Sequence, residues 1–443
     1  MHHYLLASAV AVGLGLFSTN LTAASVNQNL GKSNSLSESA YKADWESLKQ
    51  VPVPRWYDDA KFGIFIHWGP YAVPGTNVAG HYAEHYAHDM YESKLDYQEK
   101  NWGPLTEFGY KDFIPMFKAE KFNADEWAQL FQQAGAKFVI PVGEHHDGFA
   151  MWDSELTTWD AAERGPKRDI IGELEVATRA KGMKYGVSYH RERHFNYWNE
   201  QAKSYLLEEI KQTPEAAGLY GPMQLDKAFI DDYQARWQEI ERKYKPDFMW
   251  IDDVPSFYRM KDHLFVDDFK NMFKSLVADF VNNAAADGRE VYLNNKGMTE
   301  ANYPIGVGAR SADNLKLDII GPKWENPATL GKSYGYSFEE DQEDDYKSVV
   351  ELVELLADVV SKNGNLLLNI GPKPDGTIPE NQAKRLRGIG QWLKVNGEAI
   401  YGTRPWHKWG HEQLRFTANE NVVYVIRFNP NNAPVSLPWS DGK

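Results

Sequence analysis

Short apolar runs alternate with longer amphipathic stretches along most of the chain. Runs with strand-like composition lie at residues 62–67, 137–142, 185–189, 247–251, 291–294 and 365–370. Apolar residues spaced three to four positions apart predict helices at 123–134, 168–180, 225–244, 266–282 and 346–361. Strands that alternate with helices indicate a parallel sheet covered by helices.

Polar residues end or directly follow these predicted strands. They are His67, His145, Tyr189, Asp252 and Asn295. A barrel gathers the carboxyl ends of its strands at one face, where barrel enzymes carry their catalytic residues. No glycine-rich phosphate loop follows the first strand, so an open dinucleotide-binding sheet is disfavoured. The sequence therefore predicts an α/β fold with a (β/α)8-like, TIM-type barrel, most of whose strands can be recognised.

The pattern changes after residue 400. Alternating apolar and polar positions at 414–416 and 422–428, followed by turn residues at 429–432, predict a small antiparallel β module. A β-sandwich needs about twice as many residues as this segment holds, so we expect a module that is incomplete, a truncated sandwich, with an unusually small cap as the alternative. The predicted organisation is a catalytic barrel at 41–400 and a C-terminal β module at 401–443.

The N-terminus resembles an export signal. An apolar stretch at 4–17 precedes small residues at 21–25, which predicts a signal peptide at 1–24 cleaved near Ala23 or Ala24. His2 and His3 stand where Lys or Arg is usual, and a short membrane anchor is the alternative. The Ser- and Asn-rich segment 25–40 is predicted to be a flexible lead-in.

Composition narrows the classes of function. The net charge of −14 argues against a nucleic-acid partner, because no basic stripe is available to neutralise phosphates. The chain has no Cys, which excludes disulfides, thiolate metal sites and Cys nucleophiles. An exported chain without disulfides suits a secreted protein of a bacterial periplasm, and we expect no membrane partner. The 15 Trp, 24 Tyr and 21 Phe exceed what a core needs and are typical of sugar-binding clefts.

Asp252 is the sharpest single candidate for chemistry. It follows the apolar strand 247–251 and lies beside Trp250, where barrel enzymes place catalytic groups. Alternatively, its carboxylate only caps the segment that follows. The neighbouring Asp253 leaves the choice between the two carboxylates open.

Two histidine clusters, at 81–88 and 144–149, raise the question of a metal. Adjacent His residues on an extended strand point to opposite faces, and no His-Glu-x-x-His helix is present. The sequence therefore favours donors for sugar hydroxyls over a metal site, and predicts no cofactor. Phe65, Tyr82 and Trp250 could form an apolar wall of the same pocket, or belong to the ordinary core.

These motifs together resemble a known family. They are Trp56-Tyr57, residues 61–69, Ala83-Glu84-His85-Tyr86-Ala87, residues 145–149, Trp250-Ile251-Asp252, Trp324-Glu325, residues 333–336, and residues 364–372 followed by Asp375-Gly376. In this order, over about residues 45–406, they resemble the α-L-fucosidases of glycoside hydrolase family 29. The resemblance implies a retaining exo-α-L-fucosidase that removes terminal fucose from oligosaccharides or polysaccharides by double displacement.

The resemblance also implies roles for individual residues. Asp252 is expected to be the nucleophile. His67, Glu84, His145, His146 and Tyr189 are expected to bind fucose hydroxyls, and Phe65, Tyr82 and Trp250 to enclose the C6 methyl group. Lys296, Trp324 and Tyr334 complete the predicted substrate-binding set. The general acid/base is expected to be Asp313, with Glu325 as the alternative.

Two departures from the family pattern affect the predicted site. Where the family commonly has Glu-Trp-Tyr this chain has Glu84-His85-Tyr86, and where it has Asn-Asp-Arg this chain has Asn294-Asn295-Lys296. Lys does not replace Arg at a bidentate contact. Two other functions stay open: a metal-dependent hydrolase that uses the histidine clusters, and a fucose-binding protein without catalysis.

Overall fold

A computed structural model describes residues 10–12, 40–252, 263–296, 304, 306–314, 320–340 and 342–428. The strands begin with β1 (Val10–Val12), and the next eight, all parallel, form a closed barrel within the described residues. These are β2 (Phe62–Ile66), β3 (Phe138–Glu144), β4 (Lys184–Tyr189), β5 (Phe248–Ile251), β6 (Tyr292–Asn295), β7 (Ala309–Ser311), β8 (Trp324–Thr329) and β9 (Gly364–Ile370). Pairing of β9 with β2 closes the barrel, which confirms the predicted fold class.

Helices cover the outside of the barrel. The longer ones are Ala124–Ala134, Ile170–Ala180, Glu200–Gln212, Lys227–Tyr244, Val266–Ala286, Val349–Ser361 and Glu380–Asn396. Shorter α-helices are Trp45–Leu48, Arg55–Ala60, Tyr86–Asp89, Leu95–Asn101, His194–Tyr197 and Ala217–Tyr220. The 3-10 helices are Pro70–Ala72, Val78–Gly80, Ala83–His85, Tyr110–Met116, Arg191–Arg193, Pro214–Ala216, Phe338–Glu340, Glu343–Asp345 and Gly397–Ala399.

Local sequence explains where several helices begin. The Asn123 side chain accepts hydrogen bonds from the backbone N–H groups of Asp125 and Glu126, which satisfies donors that a helix leaves unpaired. Ser348 and Glu351 form a reciprocal capping box at another start. No helix among the described residues is both long and apolar enough to cross a lipid bilayer.

An aromatic cluster fills the barrel interior below the carboxyl ends of the strands. Tyr57, from the short helix Arg55–Ala60, stacks on Phe248 with ring centroids 5.0 Å apart and also contacts Phe138 and Tyr292. These rings are fully or almost fully buried. Among the described residues the barrel is therefore a packed core at this level, which leaves the carboxyl ends of the strands as the place for a ligand.

The C-terminal segment forms an antiparallel sheet, as predicted. Its strands are β10 (Arg404–His411), β11 (Leu414–Ala418) and β12 (Val423–Arg427), and the backbone of β1 pairs with β12 at one edge. Arg415 bonds Asp358 of helix Val349–Ser361 at 2.5 Å, which ties this sheet to the barrel. The predicted signal peptide and lead-in lie outside the described residues, apart from Val10–Val12 and residue 40. The proposed domain boundaries stay predictions.

Candidate active site

A cavity of about 210 Å³ opens at the carboxyl ends of the barrel strands. Five successive strands, β2 to β6, each contribute the residue that directly follows the strand: His67, His145, His190, Asp252 and Lys296. The remaining lining residues are Phe65, Tyr82, Glu84, His85, Arg193, Trp250, Asp313 and Tyr334. Because parallel strands end at one face, residues far apart in sequence converge there.

Asp252 lies in the cavity and is almost completely buried. Its Oδ1 forms an ion pair with the Lys296 ammonium, and its Oδ2 lies 3.1 Å from His146 Nε2 and 3.7 Å from His190 Nδ1. Burial alone would raise the pKa of Asp252, but the Lys296 charge, His190 and His146 outweigh it and hold that pKa well below the usual value. Asp252 is therefore ionised at neutral pH. Asp253 lies outside the described residues.

Lys296 contacts two carboxylates at once. Its Nζ pairs with Asp252 and also lies 3.0 Å from Asp313. Burial disfavours the ammonium, but the two carboxylates raise the pKa of Lys296 above its ordinary value. Tyr334 donates a hydrogen bond of 3.2 Å to Asp313, whose side chain is 40% exposed at the cavity edge. Since both carboxylates contact one nitrogen atom, their separation is compatible with the about 5–5.5 Å of retaining glycosidases.

The histidines of the site are neutral. Burial lowers the pKa of His67 and of His85 to about 3, and lowers the pKa of His145 and His190 well below the usual value. Burial also lowers the pKa of His146, although its contact with Asp252 opposes this. Neutral imidazoles both donate and accept hydrogen bonds, which suits a ligand with several hydroxyl groups.

Glu84 supplies a further buried carboxyl group to the cavity. Its Oε2 accepts hydrogen bonds from Gly335 N at 2.8 Å and Ser333 Oγ at 3.1 Å. Burial raises the pKa of Glu84 to about 7 despite these donors. These two hydrogen bonds fix the orientation of the carboxyl group. Glycine at 335 allows the close approach, because a Cβ there would lie within 3.4 Å of Glu84 atoms. Glu84 can therefore accept from a ligand hydroxyl, or donate to one when protonated.

Aromatic rings form one apolar wall. The rings of Phe65 and Trp250 lie with centroids 4.8 Å apart, and the same separation joins His67 and Tyr334. Tyr82 is 39% exposed at the cavity edge. The structure thus brings together three predicted wall residues and seven predicted polar residues: His67, Glu84, His145, Asp252, Lys296, Asp313 and Tyr334. His146 joins them through its contact with Asp252.

Two predicted residues lie below the cavity. Trp324 is the first residue of β8, at the end of the strand opposite the site, and its indole N–H bonds Lys362 O. Glu325 follows it and accepts hydrogen bonds from Trp250 Nε1 at 2.7 Å and Tyr57 OH at 2.9 Å. Burial raises the pKa of Glu325 to about 7, but its side chain is fully enclosed and does not line the cavity. The prediction that Trp324 contacts substrate is therefore corrected.

Tyr189 is displaced from the site by one position. Successive side chains of a strand point to opposite faces, and Tyr189 points outward, where its hydroxyl bonds Tyr233 O at 3.3 Å and its ring packs on Trp237. The next residue, His190, lines the cavity instead. The structure therefore corrects the expected position: His190, and not Tyr189, lines the cavity.

Sequence reasoning missed His85, His190 and Arg193 as cavity residues. It also expected the adjacent histidines His145 and His146 to point to opposite faces of a strand. Both follow the end of β3 at Glu144, so this alternation does not apply, and their ring centroids lie 4.5 Å apart. Among the described residues, three groups of side chains each bring three donor atoms within 4.8 Å of one another. The groups are His67, His145 and His190; His85, His145 and His146; and His146, His190 and Asp252. These sets could hold a metal ion.

Comparison with known proteins finds matches over most of the chain. A sequence model of the family described as Alpha-L-fucosidase matches residues 29–398. The chain is 33% identical over 382 residues to an α-L-fucosidase of Dictyostelium discoideum. This match covers 84% of this chain and 77% of that protein. It also resembles solved structures of the Thermotoga maritima α-fucosidase at 36% identity, covering 87% of this chain and 85% of that one. The TM-score is 0.71 for its complex with fucose and 0.72 for its complex with a mechanism-based inhibitor.

Proposed function

The chain belongs to the α-L-fucosidase family of glycoside hydrolases, and we propose that it removes terminal α-L-fucose by a retaining double displacement. The observation that carries this proposal is the pair of carboxylates, Asp252 and Asp313, that contact one ammonium group in the cavity. Retaining glycosidases use two carboxyl groups only about 5–5.5 Å apart, whereas inverting enzymes leave room for a water molecule between them.

Asp252 is proposed to be the nucleophile. A carboxylate attacks the anomeric carbon only when ionised, and Lys296, His190 and His146 keep Asp252 in that state. Asp252 directly follows β5, so the packed barrel holds its backbone in position. The bond from Asp252 to fucose would form as the glycosidic bond breaks, and water would later release the sugar with its original configuration.

Asp313 is proposed to be the general acid and base. It lies at the cavity edge and is 40% exposed, where it can reach the oxygen that links fucose to the leaving group. While Lys296 pairs with Asp252, Tyr334 can hold Asp313 in place for proton transfer. Glu325 is the weaker candidate, because Trp250 and Tyr57 enclose its carboxyl group below the cavity.

Polar and apolar walls support recognition of a 6-deoxy sugar. We propose that His67, Glu84, His145, His146 and His190 bind the sugar hydroxyls, while Phe65, Trp250 and Tyr82 contact the C6 methyl group. The cavity of about 210 Å³ is smaller than the about 300–1,000 Å³ of pockets for drug-sized ligands. A single sugar ring suits this volume, which supports cleavage at the end of a chain.

We propose that the substrates are fucosylated oligosaccharides or polysaccharides, and that the protein is exported to a bacterial periplasm. The apolar segment 4–17 and the small residues after it support export. Cell fractionation and N-terminal sequencing of the mature protein test this part. Recovery in the cytoplasm with an intact N-terminus would contradict it.

The experiment that tests the mechanism is NMR of early hydrolysis of an aryl α-L-fucoside. Double displacement predicts α-fucose as the first product, with β-fucose appearing only by later mutarotation. Initial β-fucose would contradict the retaining mechanism. A panel of fucosylated oligosaccharides, assayed by the release of free fucose, then identifies the linkage.

A further inference from the structure

Three donor atoms converge in the cavity from different strands. Asp252 Oδ2 lies 3.1 Å from His146 Nε2 and 3.7 Å from His190 Nδ1, and all three atoms lie within 4.8 Å of one another. All three side chains are at least nine-tenths buried. His190 Nδ1 has no hydrogen-bond partner among the described residues.

Hydrogen bonding fixes which nitrogen of His146 is available. His146 Nδ1 lies 2.7 Å from the backbone oxygen of His190, which can only accept, so Nδ1 carries the hydrogen. Nε2 is then the ring nitrogen directed at Asp252 Oδ2, 3.1 Å away, and it has no hydrogen-bond partner among the described residues. A metal ion that lies between these two atoms would use both as ligands.

The spacing of these atoms fits a transition-metal ion. Zn²⁺ binds imidazole nitrogen and carboxylate oxygen at about 2.0–2.2 Å in tetrahedral geometry, which separates neighbouring ligand atoms by about 3.3–3.5 Å. The observed separations of 3.1 and 3.7 Å lie on either side of this value. Two imidazoles and one carboxylate form a common ligand set, with a remaining position open to the cavity.

We propose that the pocket binds one divalent transition-metal ion, best Zn²⁺, through His146 Nε2, His190 Nδ1 and Asp252 Oδ2, and that this ion competes with the fucoside. The ion is an inhibitor and not a cofactor, because it occupies the carboxylate that we propose as nucleophile. Lys296 opposes it by pairing with Asp252, but Asp313 offers the ammonium a second partner at 3.0 Å.

The ligand residues are also held in place by other contacts. Ser188 Oγ lies 2.6 Å from His190 Nε2, which leaves Nδ1 directed at Asp252. The backbone bond of His146 fixes its ring in the same way. Such contacts to the far side of ligand side chains orient metal sites, and their loss typically weakens metal affinity by about 10–100-fold. The site is therefore formed before an ion arrives.

Isothermal titration of Zn²⁺ into the full-length, chelator-treated enzyme tests this proposal. We expect one ion per chain, with affinity at least about tenfold weaker in His190→Ala and in Asp252→Asn. His411→Ala, at an exposed histidine of β10, is the matched control and should leave affinity unchanged. Circular dichroism identifies any variant that fails to fold, and the other variant then decides.

Kinetics supply the second readout. Zn²⁺ should raise the apparent KM for an aryl fucoside without changing kcat, and saturating fucose should abolish Zn²⁺ binding in the calorimeter. Activity should survive chelation, whereas loss of activity on chelation would overturn the inhibitory role and favour a metal-dependent hydrolase. Absent binding, noncompetitive inhibition, or binding that is unchanged in both site variants would also overturn the proposal. Absent binding, noncompetitive inhibition or unchanged binding in the variants would leave the retaining mechanism standing, because the product configuration tests it separately.

Discussion

Lys296→Met removes the ammonium group between Asp252 and Asp313 while keeping a side chain of similar length. Asp252 is buried, so it loses the main charge that stabilises its ionised form. Asp252 acts as a nucleophile only when ionised, and activity therefore falls as pH drops through its pKa. Raising that pKa should move the acidic limb of the kcat/KM profile to higher pH.

The size of the shift follows from the contact. Opposite charges 4 Å apart interact by about 4 kcal/mol at an effective dielectric constant of 20, and Lys296 lies closer than this to Asp252. At about 1.36 kcal/mol per pKa unit, the loss corresponds to about three units. His190 and His146 remain near the carboxylate, so we expect the limb to move upward by about two to three pH units.

The assay is kcat/KM for an aryl α-L-fucoside measured across pH for Lys296→Met, Lys296→Arg and the unaltered enzyme. Lys296→Arg keeps the charge, so its acidic limb should stay near that of the unaltered enzyme even if the guanidinium alters KM. An unchanged acidic limb in Lys296→Met would refute the conclusion that Lys296 controls ionisation of the nucleophile.

Other substitutions separate the remaining roles. Asp252→Gly should lower turnover by about 10⁴-fold or more, and added azide should yield β-fucosyl azide; a variant with near-normal turnover would contradict the assignment. Asp313→Ala should lose far more activity on a fucosyl disaccharide than on an aryl fucoside with a good leaving group, and equal losses, or the same selectivity in Glu325→Gln, would refute Asp313 as the acid. His190→Ala should lower kcat/KM by about 2–10-fold, the equivalent of a hydrogen bond of about 0.5–1.5 kcal/mol between neutral groups, and an unchanged kcat/KM would remove His190 from the sugar-binding set. Tyr189→Phe should leave kcat/KM unchanged and cost about 1 kcal/mol of stability, and the reverse pattern would restore Tyr189 to the site.

The barrel was predictable because most of its strands are apolar runs between amphipathic helices. The strands that escaped prediction lack this signal: β7 has only three residues, and β8 contains Glu325, Asn326 and Pro327. All six residues of β8 are nevertheless buried, because Trp250, Tyr57 and Ser311 satisfy the carboxylate of Glu325 within the barrel. Tertiary pairing, which local pattern does not report, creates these strands.

The motifs located the nucleophile candidate, but not the contacts that tune it. Placing Tyr189 in the site instead of His190 was a one-residue error, and in a strand such an error reverses the face of the side chain. The link between Lys296 and Asp313 depends on how the segments after β6 and β7 approach each other in space. Neither spacing nor composition encodes that approach.

Mass spectrometry of the enzyme treated with a 2-deoxy-2-fluoro-fucosyl fluoride tests the central claim most directly. The fluorine slows release of the sugar, so a covalent glycosyl-enzyme should accumulate. Our account predicts one added fluorofucosyl group per chain, located by peptide mapping on Asp252. A label on a different carboxylate, or turnover to 2-deoxy-2-fluoro-β-fucose without any labelled enzyme, would contradict it.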